Sequence, residues 1–177
     1  MSNKKSLDNF KVCKQSVDNF KIGSWVVYPI HGVGLLKDID TMTIAGSEIS
    51  FFVIVFKKNK LVLKLPVQKA IDSGLRNVAS KDDLQSIFDT LSTKATRKKI
   101  VWSKRFQEYN SKLKSGSLKM VAEVIRDIYR DGGILNLSFS ERQIYYEAVE
   151  RLAKEISIIE DTAEGEVMQK IEKALAA

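Results

Sequence analysis

The pattern of apolar and polar positions changes once along the chain, near residue 76. Before that point, β-branched and aromatic residues occur in short runs that Gly, Pro and Asn separate, which is typical of antiparallel strands joined by tight turns. Four or five short strands in so short a segment predict a small SH3-like or Tudor-like β barrel. The predicted strands are Trp25–Tyr28, Val33–Ile39, Ile49–Phe56 and Leu61–Leu65.

After Gly74 the apolar positions recur with a helical period. Ser80, which precedes two aspartates, predicts one helix start, and Ser140-Glu141-Arg142-Gln143 predicts another as a capping box. Strands followed by helices, rather than alternating with them, indicate an α+β fold in which the barrel precedes an α-helical bundle. The predicted helices start at Ser80, within the Lys94–Lys114 stretch, at Ser117, at Ser140 and at Ala163.

Length and composition favour two small domains. The chain has 177 residues, of which 44% are hydrophobic, enough for one medium core or two small ones. Residues 1–16 are polar and lysine-rich and are predicted to form a flexible tail, followed by a barrel domain over 17–76 and a helical domain over 80–177. No apolar run approaches the roughly 18 residues that span a bilayer. We therefore expect a cytoplasmic protein that does not bind a membrane.

The residues needed for most catalytic and metal sites are scarce. The chain has one cysteine, Cys13, and one histidine, His31, which cannot form an internal disulfide or a structural zinc site. It contains no phosphate-binding loop of the G-x-x-x-x-G-K-[ST] type and no G-x-S-x-G motif. His31 lies between Ile30 and Gly32, where a turn residue is the simpler interpretation. We expect no enzymatic activity, no cofactor and no metal.

Positive charge is concentrated in the stretch Lys94–Lys114, hereafter the basic segment. It holds eight Lys and Arg against the single acid Glu108, while the whole protein carries a net charge of +7. Such a local positive field attracts polyanions. The sequence predicts that its cations, Lys112 and Lys114 included, are almost unopposed. The candidates for DNA binding are Trp102, Arg97, Lys98, Lys99, Lys104 and Arg105.

The aromatic residues of the basic segment allow two interpretations. Trp102, Phe106, Tyr109 and Leu113 recur at helical spacing and could form the core-facing stripe of an amphipathic helix. Alternatively, Trp102, which lies at the N-terminal end of the stripe among cations, projects from the bundle and stacks or wedges against bases while the cations hold phosphates. Burial of Trp102 would distinguish the two.

Four segments of the chain together resemble one protein family. None is specific alone, but their order and spacing across residues 20–160 match the CarD/CdnL family of bacterial RNA polymerase-binding transcription regulators. The segments are Val27–Gly34 (V-Y-P-I-H-G-V-G), Leu63–Pro66 (L-K-L-P), Val101–Phe106 (V-W-S-K-R-F) and Val121–Tyr129 (V-A-E-V-I-R-D-I-Y).

The resemblance implies a role for each domain. The barrel would dock on the β subunit of RNA polymerase, as does the related domain of the transcription-repair coupling factor, and the helical domain would contact promoter DNA at the upstream edge of the melted bubble. Lys64 matches a polymerase-binding basic residue, and Trp102 matches the minor-groove wedge of the family.

Two residues beside Trp102 also match the family, and two positions elsewhere differ from it. Lys104 and Arg105 match phosphate-contacting positions of the family. Met42 stands where some members carry a second polymerase-binding arginine, and Gln107 where some carry a lysine. The sequence thus predicts a monomeric, non-enzymatic regulator that stabilises the open promoter complex. The alternative is a stand-alone nucleoid-type protein that binds nucleic acid without sequence preference, and co-purification with polymerase would separate the two.

Overall fold

The computed structural model describes residues 19–44, 46–57, 60–95, 101–129 and 133–177. The predicted tail, with Cys13, lies outside these ranges. The chain divides into two compact units, one ending at Asn77 and the other starting at Val78. The first unit is an antiparallel sheet and the second is helical, so the predicted α+β fold, with the strands before the helices, is confirmed.

The first unit is built on a five-stranded antiparallel sheet with the strand order β4-β3-β2-β1-β5. A six-residue helix, α1 (Val67–Asp72), follows β4 directly and was not predicted. Because this helix buries only two side chains, its sequence carries little helical periodicity. The strands are β1 (Trp25–Tyr28), β2 (Gly32–Ile44), β3 (Ser47–Phe56), β4 (Leu61–Pro66) and β5 (Arg76–Asn77).

Alternation along β3 separates a buried face of the sheet from an outer face. Phe52, Ile54 and Phe56 are at most 2% exposed and point into the core of the first unit, which also includes Val26 and Leu36. The residues between them on β3 are only partly buried. Since successive side chains of a strand point to opposite faces, this assignment fixes the face of every paired residue on the neighbouring strands.

The second unit is an α-helical bundle around one continuous apolar core. Between the helix that ends at Ile128 and the helix that begins at Phe139, the chain forms a 3₁₀ turn, Ile134–Asn136. A membrane-crossing helix is absent from the described ranges, where none of the helices combines the required length with the required apolar character. The helices are α2 (Lys81–Ser92), α3 (Trp102–Lys114), α4 (Leu118–Ile128), α5 (Phe139–Glu160) and α6 (Glu164–Ala176).

Capping boxes begin two of these helices. The carboxylate of Asp83 accepts a hydrogen bond from the Ser80 backbone N–H at 3.0 Å, which confirms the predicted start of α2. At α5 the box is formed by Ser138 and Glu141, so the prediction that it begins at Ser140 is wrong. The helix starts two residues earlier because Glu141 then occupies the third helical position, from which its carboxylate reaches back to the Ser138 N–H.

Replacing Gly34 tests the packing of the barrel core. A Cβ at this position would lie 2.7 Å from Cγ2 of Ile54 and 2.9 Å from Cε1 of Phe56, both of which are buried. We expect Gly34→Ala to lower the free energy of unfolding by about 1–3 kcal/mol, because a filled core accommodates an added methyl only by shifting its neighbours. Urea unfolding followed by circular dichroism measures the loss.

Gly165 provides the matched control. It lies in α6, and an added Cβ there meets no atom within 4 Å. Gly165→Ala should leave stability unchanged or raise it by up to about 1 kcal/mol, since alanine favours the helix. A Gly34→Ala protein as stable as wild type would contradict the close packing against β3.

Candidate functional site

The basic segment contributes one helix, α3, whose register on the core fixes where its side chains lie. Tyr109 and Leu113 are 5% and 2% exposed and belong to the apolar core of the bundle. Trp102 is the first residue of the helix and is only partly buried, and Phe106 is 40% exposed. The aromatic stripe therefore runs from the core at its C-terminal end to the surface at its N-terminal end.

Trp102 combines features of both interpretations drawn from the sequence. Its indole packs against the bundle core and meets the rings of Phe106 and Tyr109 edge-on, with centroids 5.9 and 6.4 Å away. It is nevertheless incompletely covered, and Val101 just before it is 72% exposed. The ring thus has one side against protein and another available to solvent or to a ligand.

The cations of the first turn of α3 differ in their surroundings. Lys104 is exposed and makes no ion pair with any described residue. Arg105 is drawn toward the protein: its Nη2 lies 3.7 Å from Oε1 of Glu141, and its guanidinium lies over the Trp102 ring at 5.4 Å from the centroid. Arg97, Lys98 and Lys99 lie outside the described residues.

The prediction that the cations of the basic segment are almost unopposed is wrong for two of them. Arg105 faces Glu141, and Lys112 donates a hydrogen bond to Oε2 of Glu123 at 2.8 Å. The hydrogen bond from Lys112 lowers the pKa of the Glu123 carboxyl, against the smaller opposing effect of its burial. Glu141 and Glu123 both lie outside the basic segment, so a charge count within it could not reveal these partners. Lys104 and Lys114 remain exposed.

The N-terminal end of α3 favours an anion. Val101 provides no side-chain cap, and no acid lies in the first turn. The N–H groups of Lys104 and Arg105 donate to the Val101 carbonyl. The helix dipole nevertheless places partial positive charge at this end, where Lys104 adds a full charge. Backbone N–H groups together with a lysine form a common kind of phosphate site. The first turn therefore brings together a partly exposed indole and groups that suit a phosphate.

On the barrel, Lys64 and Met42 lie on the same outer face of the sheet. Nζ of Lys64 on β4 contacts Oδ2 of Asp40 on β2 at 2.7 Å and lies 5.6 Å from the centroid of the Phe51 ring between them. Met42 is two residues beyond Asp40 on β2, which places it on the same face, and it is 46% exposed. Asp40 could not be identified from the sequence as the partner of Lys64, because pairing across β3 depends on strand register.

This outer face is apolar around the ion pair. Val62 is 60% exposed and Ile44 is 46% exposed, and both lie on the face opposite the barrel core. Since β4 is an edge strand of the sheet, its outward backbone groups are also open to pairing. The surface thus offers to a protein partner apolar side chains, the Lys64–Asp40 ion pair and a strand edge that no other described strand covers.

Truncating Trp102 measures how far the indole contributes to the core. We expect Trp102→Ala to lower the free energy of unfolding by about 1–2 kcal/mol, because the ring removes only part of its apolar surface from water. Leu113→Ala, at a fully buried position of the same helix, should cost about 2–5 kcal/mol. Denaturant unfolding of both variants provides the comparison. A larger loss at Trp102 than at Leu113 would assign the indole to the core alone.

Two family models match the chain, each over one of its units. Residues 20–79 match the CarD-like/TRCF RID domain, and residues 86–172 match the CarD C-terminal domain. The matches therefore separate at the same part of the chain as the sheet and the helical bundle.

A curated relative agrees with these matches. The "Putative transcription factor YdeB" of Bacillus subtilis (strain 168) is 26% identical over 148 residues, which cover 84% of this chain and 97% of that protein. Both domain types occur here in one chain and in the same order as the predicted resemblance, which is confirmed. The chain belongs to the CarD family of transcription factors.

Proposed function

We propose that this protein is a non-enzymatic transcription regulator that binds RNA polymerase and promoter DNA at the same time. In this proposal the barrel docks on the β subunit, and the first turn of α3 contacts DNA at the upstream edge of the melted bubble, where it stabilises the open complex. The protein acts as a monomer in the bacterial cytoplasm. The observation that carries the proposal is the partly exposed Trp102 beside the exposed Lys104 at an uncapped helix end.

Trp102 supplies the contact to distorted DNA. An aromatic side chain that inserts at an unstacked base step replaces part of the lost base stacking, and base–aromatic stacking contributes about 1–3 kcal/mol. The indole can serve in this way because its inner edge is braced by Tyr109, while it remains incompletely covered. Because an intact duplex offers no unstacked step, the contact favours open over closed promoter DNA.

Phosphates on either side of that step would bind to charges rather than to base-reading groups. Lys104 can bind a phosphate oxygen, and the positive end of the α3 dipole favours one, but neither recognises a base. The interaction with DNA should therefore be weak, salt-dependent and indifferent to sequence in the absence of polymerase. Placement at promoters has to come from another contact.

The barrel provides that contact. The match to the CarD-like/TRCF RID domain supports interaction with RNA polymerase, and β4 offers an open edge to which a strand of the β subunit can add. Lys64 lies on the outer face of β4 itself, and Met42 lies on the same face two strands away, on β2. Strand addition supplies affinity through the backbone, while the side chains of the outer face supply specificity.

The lifetime of the open complex tests the DNA contact. We expect open complexes on a promoter with an unstable bubble to decay about 5- to 150-fold faster with Trp102→Ala than with wild type, because the variant loses one base–aromatic stack. Heparin-challenge decay measures the rate. Polymerase binding by the same variant should stay at the wild-type level, and this serves as the control. Unchanged decay with a folded Trp102→Ala protein would overturn the proposal.

Charge changes at Lys64 test the polymerase contact. With the full-length chain, Lys64→Glu should weaken binding to the β subunit by about tenfold or more, because it reverses the charge at the docking face. Since the new carboxylate would also repel Asp40, Asp40→Asn is the matched variant: it releases Lys64 from its ion pair without changing the lysine.

The paired variants separate an interface effect from a folding effect. Asp40→Asn should bind the β subunit at least as tightly as wild type. Weakened binding in both variants would indicate that the Lys64–Asp40 ion pair stabilises the fold of the barrel and does not contact polymerase. Recovery of the protein from a lysate without polymerase would favour the stand-alone nucleic-acid-binding alternative.

A further inference from the structure

Arg105 is held by the protein in a way that its neighbour Lys104 is not. Its side chain is 22% exposed, with the guanidinium lying between the carboxylate of Glu141 and the ring of Trp102. Nε is buried and has no hydrogen-bond partner among the described residues. Since Nη2 faces a carboxylate and Nε is buried, this guanidinium has fewer donors available to a phosphate than an exposed cation has. Its position is therefore poorly suited to phosphate binding.

Glu141 is a rigid anchor because its two carboxylate oxygens have different partners. Oε2 accepts hydrogen bonds from the Ser138 N–H at 3.0 Å and from the Ser138 hydroxyl at 2.9 Å, which closes the capping box of α5. Oε1 faces Arg105. The side chain is 12% exposed. Since the cap fixes the carboxylate, the oxygen that meets Arg105 has a fixed place relative to the bundle.

Arg105, which faces the fixed carboxylate of Glu141, in turn contacts the indole of Trp102. A planar guanidinium over an aromatic face is attracted by the ring and restricts its orientation. Trp102 needs such a restraint, because it is only partly packed and begins a helix that no side chain caps. A side chain whose orientation is already restricted in the free protein loses less conformational entropy when it binds.

We infer that Arg105 and Glu141 are positioning residues that hold the Trp102 indole ready for DNA, and that Arg105 is not a phosphate contact. The inference rests on the proposed role of Trp102. It assigns different tasks to two adjacent cations: Lys104 binds phosphate, and Arg105 transmits the fixed position of α5 to the ring. It also gives Glu141 a second task beyond its cap.

The test isolates Trp102 fluorescence in the full-length protein. The chain has two tryptophans, so Trp25→Phe leaves Trp102 as the reporter. Glu141→Gln is then the informative change, because an amide oxygen still accepts from Ser138 and preserves the cap while the charge facing Arg105 is lost. We expect acrylamide to quench Trp102 more strongly, and open complexes to decay about 2- to 10-fold faster, the range expected for one side chain that must be ordered on binding.

The second capping box provides the matched control. Asp83→Asn removes a carboxylate charge from the box of α2, which faces no arginine among the described residues. It should change neither the quenching of Trp102 nor the decay of open complexes. If Asp83→Asn reproduced the effects of Glu141→Gln, they would reflect loss of helix capping, and the inference would fail.

Arg105 variants keep the inference falsifiable even if Glu141→Gln does not fold. Arg105→Lys retains the charge but loses the planar group, so it should reproduce the increased quenching and the faster decay. Arg105→Ala should leave the slope of log K against log salt for duplex DNA unchanged, whereas Lys104→Ala should reduce its magnitude by about 0.9.

Three results would overturn the inference. They are wild-type quenching in both Glu141→Gln and Arg105→Lys, a salt slope reduced by about 0.9 in Arg105→Ala, and open complexes that live longer with Glu141→Gln because the released guanidinium binds phosphate. Quenching is measured without DNA or polymerase and is independent of the proposed function. Suppose that Glu141→Gln raises the quenching of Trp102 but that Trp102→Ala leaves the decay of open complexes at the wild-type rate. The restraint of the indole would then be supported, and the proposed function would be overturned.

Discussion

The register of α3 on the helical core is the constraint on which the candidate DNA surface depends. Tyr109 and Leu113 are buried, and helical geometry then fixes the direction of every other side chain of α3. Trp102 falls at the edge of the core and Lys104 outside it. A rotation of the helix by one residue would turn a cation toward the core, at the high cost of burying an unpaired charge. The register of α3 thus determines both which of its side chains pack in the core and which are exposed to a ligand.

The charges of the basic segment divide according to what surrounds them. Where the helix lies against α4 and α5, acids neutralise its cations, as Glu123 does for Lys112 and Glu141 for Arg105. Where it faces solvent, a cation such as Lys104 is exposed and has no ion-pair partner among the described residues. A formal charge count therefore overstates the attraction for a polyanion. The effective positive charge of α3 is therefore smaller than its sequence suggests.

Periodicity predicted the elements that bury one face, and it failed where that signal is absent. The core strands and α2 were found because alternate or helically spaced positions are apolar. The outer end of β2, beyond Thr41, is exposed on both faces and was missed. The start of α5 was predicted two residues too late, at Ser140. Its first residue, Phe139, is 74% exposed and does not belong to the apolar face by which the helix was recognised.

The candidate site was predictable in its members but not in its connections. Trp102 and Lys104 could be named because an aromatic among cations is a local pattern. The link between Arg105 and Glu141 joins two helices far apart in the sequence, and only their packing brings them together. The same holds for Lys64 and Asp40, which meet across a strand. Pairwise contacts of this kind follow from tertiary structure, so a single sequence gives no signal for them.

The two ends of α3 differ in how firmly they are held, and this difference has a dynamic consequence. At the C-terminal end, Nη1 of Arg151 on α5 donates a hydrogen bond to the Leu113 carbonyl at 3.0 Å, and Lys112 is tied to α4. The N-terminal end has no side-chain cap and carries cations that oppose the helix dipole. Amide protons of the first turn should therefore exchange through local fraying while those of the last turns remain protected. The backbone of α3 is thus held most firmly at its last turns, whereas its first turn is tied to α5 through a side chain, the Arg105 guanidinium that faces Glu141.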